Sequence, residues 1–280
     1  MSWRIACRHH TFYRYAGPAY GSYNEVRISP LTTPRQTVLD AEVVVDPSVS
    51  CLRYWDYWGT LVHSFDVHDQ HLELQVTGTS VTEVDPPPPP PEPVSWDRIR
   101  SAEVADEFAE LLMPTAFVPL ERHLVRHARE AIKGLDPYRA SLALADWTRR
   151  ELTYESGATA VSTSAPEALR MGRGVCQDFA HVHLALLRSV GIPARYVSGY
   201  LHPQAQPKVG VTTEAESHAW VDAWVGDWVA IDPTNVTTVG ASHVTVARGR
   251  DYADVPPIRG VYQGGAVETL EVKVEMTRLA

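Results

Sequence analysis

Six consecutive prolines, Pro86 to Pro91, followed by Glu92-Pro93, restrict this 280-residue chain more than any other stretch. Proline has no backbone N–H and holds φ near one value, so such a run joins neither a helix nor a sheet interior. It favours an extended polyproline II rod. A rod of this kind can be a ligand for a proline-binding domain or a stiff spacer. Nothing else in the chain suggests signalling, and the spacer is the expected role. The hydrophobic pattern changes across it.

Before the prolines the period is two. Val38 to Val45 alternate loosely. Leu52 to Trp58 runs into Gly59-Thr60 and then Leu61 to Val67, a hairpin signal. Leu72 to Thr77 alternates apolar and polar residues. After the prolines the period lengthens. Ser95 and Asp97 can cap a helix through about Leu112; further helices are expected over Leu120 to Ile132, Arg139 to Leu152, and from Cys176 to just before Gly191. The last of these reads as buried on most sides. Period two then returns over Arg195–Tyr200, His218–Val225, Trp228–Asp232 and Thr269–Met276. Helices followed by antiparallel strands predict an α+β fold. The expected organisation is an N-terminal β-rich domain over 1–85, a proline-rich linker over 86–94, and a larger α+β domain over 95–280. The last strand, about 269–276, is free to pack back on the first domain.

Bulk properties narrow the function. The net charge of −9 disfavours nucleic-acid or anionic-membrane binding. No stretch reaches the roughly 18–20 apolar residues of a membrane span, the first ten residues hold no apolar run of signal-peptide length, and a cytoplasmic location is expected. Cys7, Cys51 and Cys176 are few and far apart, which argues against a disulfide framework. There is no Cys-x-x-Cys pair. His181 and His183 point to different sides of their helix, and His9 and His10 to opposite faces of a strand, so no metal is expected. No glycine-rich phosphate loop occurs, and no cofactor is expected.

Three residues carry the chemistry. Cys176 opens a helix in Gly172-Arg173-Gly174-Val175-Cys176-Gln177-Asp178-Phe179-Ala180. A helix N-terminus supplies unpaired N–H groups and partial positive charge, which favour a thiolate. The glycines allow a sharp turn before it, and the N–H of Cys176 is free to face an oxyanion. His218 starts a strand and can act as general base. Asp232 ends the neighbouring strand and can fix the imidazole's tautomer. The register is the weak joint. With Gly226-Asp227 as a two-residue turn, Val221 falls opposite Asp232 and His218 opposite Asn235, which turns Asp232 away from His218. A bulge or a three-residue loop restores the parity and is expected to leave Asp232 opposite Asp222, with Asn235 the substitute if Asp232 fails to reach. Asp178 is read as a helix-start residue with a secondary site role. Tyr154, Trp220, Trp224 and Trp228 are read as core more than pocket. Thr163, Ser164 and Ser198 lack a base.

These stretches resemble a known family. Gly174 to Ala180, Gly191-Ile192-Pro193-Ala194-Arg195-Tyr196-Val197-Ser198-Gly199-Tyr200, His218-Ala219-Trp220-Val221 and Asp232-Pro233-Thr234-Asn235 look like the bacterial transglutaminase-like superfamily. Gly249 to Pro257 looks like the subgroup with an added N-terminal β domain, and Asp56-Tyr57-Trp58-Gly59 fits it. The resemblance implies a papain-like core of helices packed on an antiparallel sheet, with Cys176 as nucleophile, His218 as base and Asp232 as orienting acid. It implies acyl transfer at a protein or peptide amide through a thioester, with water (peptidase or amidase) slightly favoured over an amine (transglutamination). Val175 stands where the animal enzymes carry a polar residue before the cysteine, and no EF-hand loop supports calcium activation. The alternative is a non-catalytic protein-interaction module that keeps the fold.

Overall fold

The computed structural model describes residues 1–280. Five strands come first: β1 (Trp3–Val26), β2 (Gln36–Asp46), β3 (Leu52–Trp55), β4 (Leu61–Val67) and β5 (His71–Val84). Helices follow the prolines: α1 (Trp96–Ile99), α2 (Ala102–Glu107), α3 (Ala109–Leu112), α4 (Arg122–Ala131) and α5 (Pro137–Glu151). The short β6 (Thr153–Tyr154), α6 (Ala165–Met171) and β7 (Arg173–Gly174) lead into α7 (Cys176–Ser189). The remainder is β8 (Ala194–Leu201), β9 (Thr212–Trp224), β10 (Trp228–Asp232), β11 (Thr237–Thr238), β12 (His243–Gly249), β13 (Ile258–Gly264) and β14 (Val267–Arg278). The expected α+β architecture, with β structure at the N-terminus, is present.

Twelve of the strands form one sheet, and β6 and β7 pair separately. In its first half β1 alternates Ile5, Cys7, His9 and Thr11 inward, all buried. It pairs with β5 on one edge and β14 on the other, and further along with β4 and β13. The final strand β14 then pairs through Val274–Thr277 with Ala215–Thr212 of β9. Backbone hydrogen bonds thus run unbroken from the first strand to the strand that holds His218. Residues 86–94 adopt neither helix nor strand. They lie against the body, with Pro87 packed on Gly240 and Val94 on Gly226.

Two expectations are corrected. The helix from Ser95 to Leu112 is three short helices. Ser95 accepts from the Arg98 N–H, but Ser101 caps again by accepting from the Val104 N–H, and the Phe108 backbone breaks the run once more. Serine competes with the helix for backbone donors, so a second serine restarts it. The strand carrying His218 begins six residues earlier, at Thr212, because β14 supplies a partner there.

Buried apolar side chains gather around α7. Phe179, Val182, Leu184, Leu186 and Leu187 have no exposed surface, and α4, α5, α6, β8 and β9 enclose them. A helix surrounded this way cannot slide or tilt without opening voids, so its first residue is fixed in space. Gly199, in the middle of β8, lies opposite His218 of β9 and Thr245 of β12. A methyl group there would strike the Val244 carbonyl oxygen and the ring of Trp220. Backbone on one side and a buried indole on the other leave no room to adjust. We expect Gly199→Ala to destabilise the fold by about 3 kcal/mol, read as a lowered midpoint in thermal or urea unfolding.

Candidate active site

Two glycines prepare the turn into α7. Gly172 ends α6 in the left-handed region at φ 67°, which a side chain rarely tolerates. Gly174 needs space instead: a Cβ there would lie 2.6 Å from Asp178 Oδ2. Asp178, the third residue of α7, reaches back to accept from the Val175 N–H at 2.8 Å and from the Thr159 hydroxyl at 2.6 Å. The carboxylate of the first turn thus ties down the residue before Cys176, the helix-start role read from the sequence. Burial pushes its carboxyl up, against the pull of these donors. Cys176 and Gln177 open the helix with no preceding turn to supply acceptors, so their N–H groups face outward from its positive end.

His218 sits on β9 and Asp232 at the end of β10. Trp224 pairs with Trp228 and Val221 with Ile231. The connection is therefore the three residues Val225–Asp227. The same register carried one step further sets Asp232 opposite Trp220, not Asp222. That shortens the offset: Trp220 is two residues from His218, on the same face of β9. Diagonal neighbours of this kind lie within reach of a long side chain. His218 Nε2 meets Asp232 Oδ2 at 2.8 Å. Asn235 does not replace Asp232. Its side-chain N–H donates to Oδ2 at 2.8 Å, while the N–H groups of Thr234 and Asn235 serve Oδ1 at 2.9 and 3.2 Å.

With Nε2 engaged by Asp232, the other ring nitrogen of His218 is left for Cys176, whose Sγ lies 4.0 Å from the Ser217 carbonyl oxygen. Burial favours the neutral ring, but hydrogen bonds to Asp232 and Cys176 outweigh it and raise His218 to about 10. Burial opposes ionisation of Asp232 as well, and its donors, His218 foremost, hold the carboxyl far below the usual range. All three predicted residues are brought together. Tyr154 borders the thiol with its hydroxyl 3.4 Å from Glu216, pushed up to about 12 by burial and by Cys176. Trp220 is fully buried. Ser164 caps α6, and Thr163 accepts from the Ala160 N–H.

One neighbour escapes the sequence reading. His243, the first residue of β12, puts its Nε2 3.5 Å from Asp232 Oδ2. The alternating run Val244-Thr245-Val246 after it signals a strand, but nothing local ties that strand to Asp232. His218, Asp232 and His243 bring ligand-type atoms within 4.8 Å of one another, a grouping a cation could use. The four best-formed surface cavities all lie away from Cys176. The largest of them, about 430 Å³, is lined by Tyr57, Trp58, Phe108, Arg195, Trp228 and Arg248 among others. Cys176 itself is half-buried.

Known proteins are similar to this chain in sequence and fold. Residues 126–233 match the transglutaminase-like superfamily and residues 5–83 the bacterial transglutaminase-like N-terminal region. An uncharacterised Mycobacterium leprae protein is 45% identical over 278 residues, covering 99% of this chain and 100% of its own. An uncharacterised Mycobacterium tuberculosis protein is 33% identical over 98% of this chain and 92% of its own. A Pseudomonas aeruginosa protein-glutamine gamma-glutamyltransferase is 35% identical over 65 residues, 22% of this chain and 10% of that one. A solved structure from Cytophaga hutchinsonii, described as a "putative cysteine protease", superposes with a TM-score of 0.78 at 22% identity, covering 100% of this chain and 92% of that one, and so shares the fold. On the full-length relatives and the two matched regions, the chain belongs to the transglutaminase-like superfamily and carries its bacterial N-terminal region.

Proposed function

We propose that this protein is a cysteine-dependent enzyme that transfers the acyl group of a protein or peptide amide through a thioester, with water as the usual acceptor. The observation that carries the reading is the 2.8 Å contact between His218 and the fully buried Asp232, beside a thiol at the mouth of a buried helix. Cys176 is the nucleophile, His218 the base and Asp232 the orienting acid. The Cys176 sulfur attacks the amide carbonyl, and the Cys176 N–H donates to the oxygen that becomes negative. The His218 imidazolium gives its proton to the departing amine as the C–N bond breaks, leaving the acyl group on sulfur. Water then attacks the thioester, His218 takes its proton, the C–S bond breaks to release the acid, and the Cys176 thiolate and His218 imidazolium are restored.

A half-buried Cys176 leaves its thioester within reach of solvent, which favours hydrolysis over amine transfer. The short match to a gamma-glutamyltransferase keeps the amine route as the second acceptor chemistry. No helix is long and apolar enough to cross a membrane. The three cysteines are free, which fits a reducing, cytoplasmic compartment.

Three outcomes are expected. Cys176→Ala removes labelling by iodoacetamide probes while circular dichroism and unfolding stay near wild type; retained labelling would put the reactive thiol at Cys7 or Cys51. Because the folded pKa of His218 is raised, its imidazolium persists through neutral pH. The stabilisation it provides is full below its unfolded value near 6.5 and is lost as pH rises through about 10. Asp232→Asn should bring that loss down toward the ordinary histidine range, followed by NMR titration of the ring. Finally, incubation with peptide libraries and a fluorescent amine should give cleaved amides with little amine incorporated. Dominant incorporation would reverse the choice of acceptor, and neither product would remove the enzymatic reading.

A further inference from the structure

Asp232 has two imidazoles on one oxygen. The reaction uses only His218, so the presence of His243 needs a cause. Its tautomer supplies one. The Gly240 N–H points at His243 Nδ1, 3.4 Å away, and the Ser242 hydroxyl lies 3.1 Å from the same atom. A backbone N–H can only donate, so Nδ1 accepts and the ring proton sits on Nε2, the nitrogen facing Asp232 Oδ2. The neutral ring is therefore a donor to the carboxylate. That tautomer occupies the nitrogen a cation would need. Burial lowers the pKa of His243, against the pull of Asp232, so Asp232 faces one positive ring and one neutral one. The titratable groups facing His243 are Asp232 and His218 and, beyond His218, the Cys176 thiol. Trp220 closes another side, its ring edge-on to His243 at 5.3 Å between centroids.

His243 is held from a distant part of the chain. Two residues along β12, the backbone of Thr245 is gripped by one side chain from the N-terminal strands. Gln36 Oε1 accepts from the Thr245 N–H at 2.8 Å, and Gln36 Nε2 donates to the Thr245 carbonyl at 2.8 Å and to the Leu31 carbonyl at 2.6 Å. The Leu31 N–H also donates to the Thr245 carbonyl, at 3.0 Å. Gln36 is buried, so both polar ends of its amide depend on these partners. Such a clamp replaces a strand partner at this point of β12, where its pairing with β8 shifts register between Thr245 and Ala247.

We propose that His243 is a positioning residue for Asp232, and that the Gln36 clamp on Thr245 is the route by which the N-terminal β region holds it there. The N-terminal region then does more than widen the sheet. It sets the strand whose first side chain pins the orienting carboxylate. The proposal rests on the reading of Cys176, His218 and Asp232 as one catalytic unit.

The test uses the full chain and the pH dependence of Cys176 alkylation by iodoacetamide. Cys7 and Cys51 are replaced by serine throughout if they contribute. His243→Leu removes the donor at similar volume; His243→Gln keeps an N–H at about the Nε2 position. The expected result is that His243→Leu slows alkylation at neutral pH about 10-fold and moves the alkaline limb of the profile down by about one pH unit. His243→Gln should recover most of both. Gln36→Leu should shift the limb in the same direction by a smaller amount. Should His243→Leu prove too unstable to measure, Gln36→Leu and His243→Gln alone decide between a shifted and an unshifted limb. A His243→Leu profile that overlays the wild type, or a Gln variant no better than Leu, would overturn the proposal. So would a wild-type profile that moves on adding EDTA or Zn²⁺, since that would assign the three side chains to a cation. His218→Gln separates the two readings. If it leaves alkylation unchanged, the catalytic unit itself is wrong; if it abolishes the enhancement while His243→Leu does nothing, only the positioning role falls.

Discussion

A carboxylate without exposed surface is the point on which the rest of this structure turns. Removing an ionised Asp from water costs several kcal/mol unless donors replace the lost hydration. Asp232 recovers it through the N–H groups of Thr234 and Asn235, the Asn235 side chain, His218 and His243. Those donors come from neighbouring strands and one turn, so the charge is stable only when β9, β10 and β12 stand in one arrangement. Site geometry and fold are thereby coupled. A displacement that opens the site also leaves a buried charge short of donors.

The same coupling explains how the site is held by distant parts of the chain. α7 delivers Cys176 because its sides are enclosed, and Asp178 fixes the residue before it. β9 delivers His218 while its earlier residues pair with the last strand of the chain, which itself pairs with the first. The ends of the sequence therefore brace the strand of His218. Sequence separation between the first strand and these partners is large, and folding must close that loop before the gain in pairing appears.

Much of this was legible in the residues. The Cys176, His218 and Asp232 segments each carry local signals: glycines before a helix, an aromatic alternating strand, an Asp-Pro stop. Ser95 was legible as a cap, but Ser101 went unread: it caps again and restarts the helix, an effect that depends on what the helix packs against. The β9–β10 register was harder. Gly226-Asp227 has the composition of a two-residue turn, yet Val225 joins the loop and moves Asp232 to the diagonal of His218. In that register Trp224 pairs with Trp228 and both rings pack on Phe108, a tertiary contact that turn chemistry read in isolation does not report. His243 and Gln36 were beyond reach, since no periodicity reports that a glutamine near the start of the chain will meet a strand near its end.

The proposed chemistry rests on a division of labour between charge and position. His218 keeps its proton through neutral pH because Asp232 is both charged and immobile; a mobile carboxylate would relax toward water and give up part of the interaction. The ring can still release the proton to a departing amine because that amine, as the C–N bond breaks, becomes a stronger base than the imidazole. Holding the carboxylate more firmly raises the imidazolium's stability in the resting enzyme but also raises the cost of using it as an acid. A neutral donor at His243 fixes the carboxylate's direction, and so helps hold the proton on His218, without setting a second positive charge against the imidazolium.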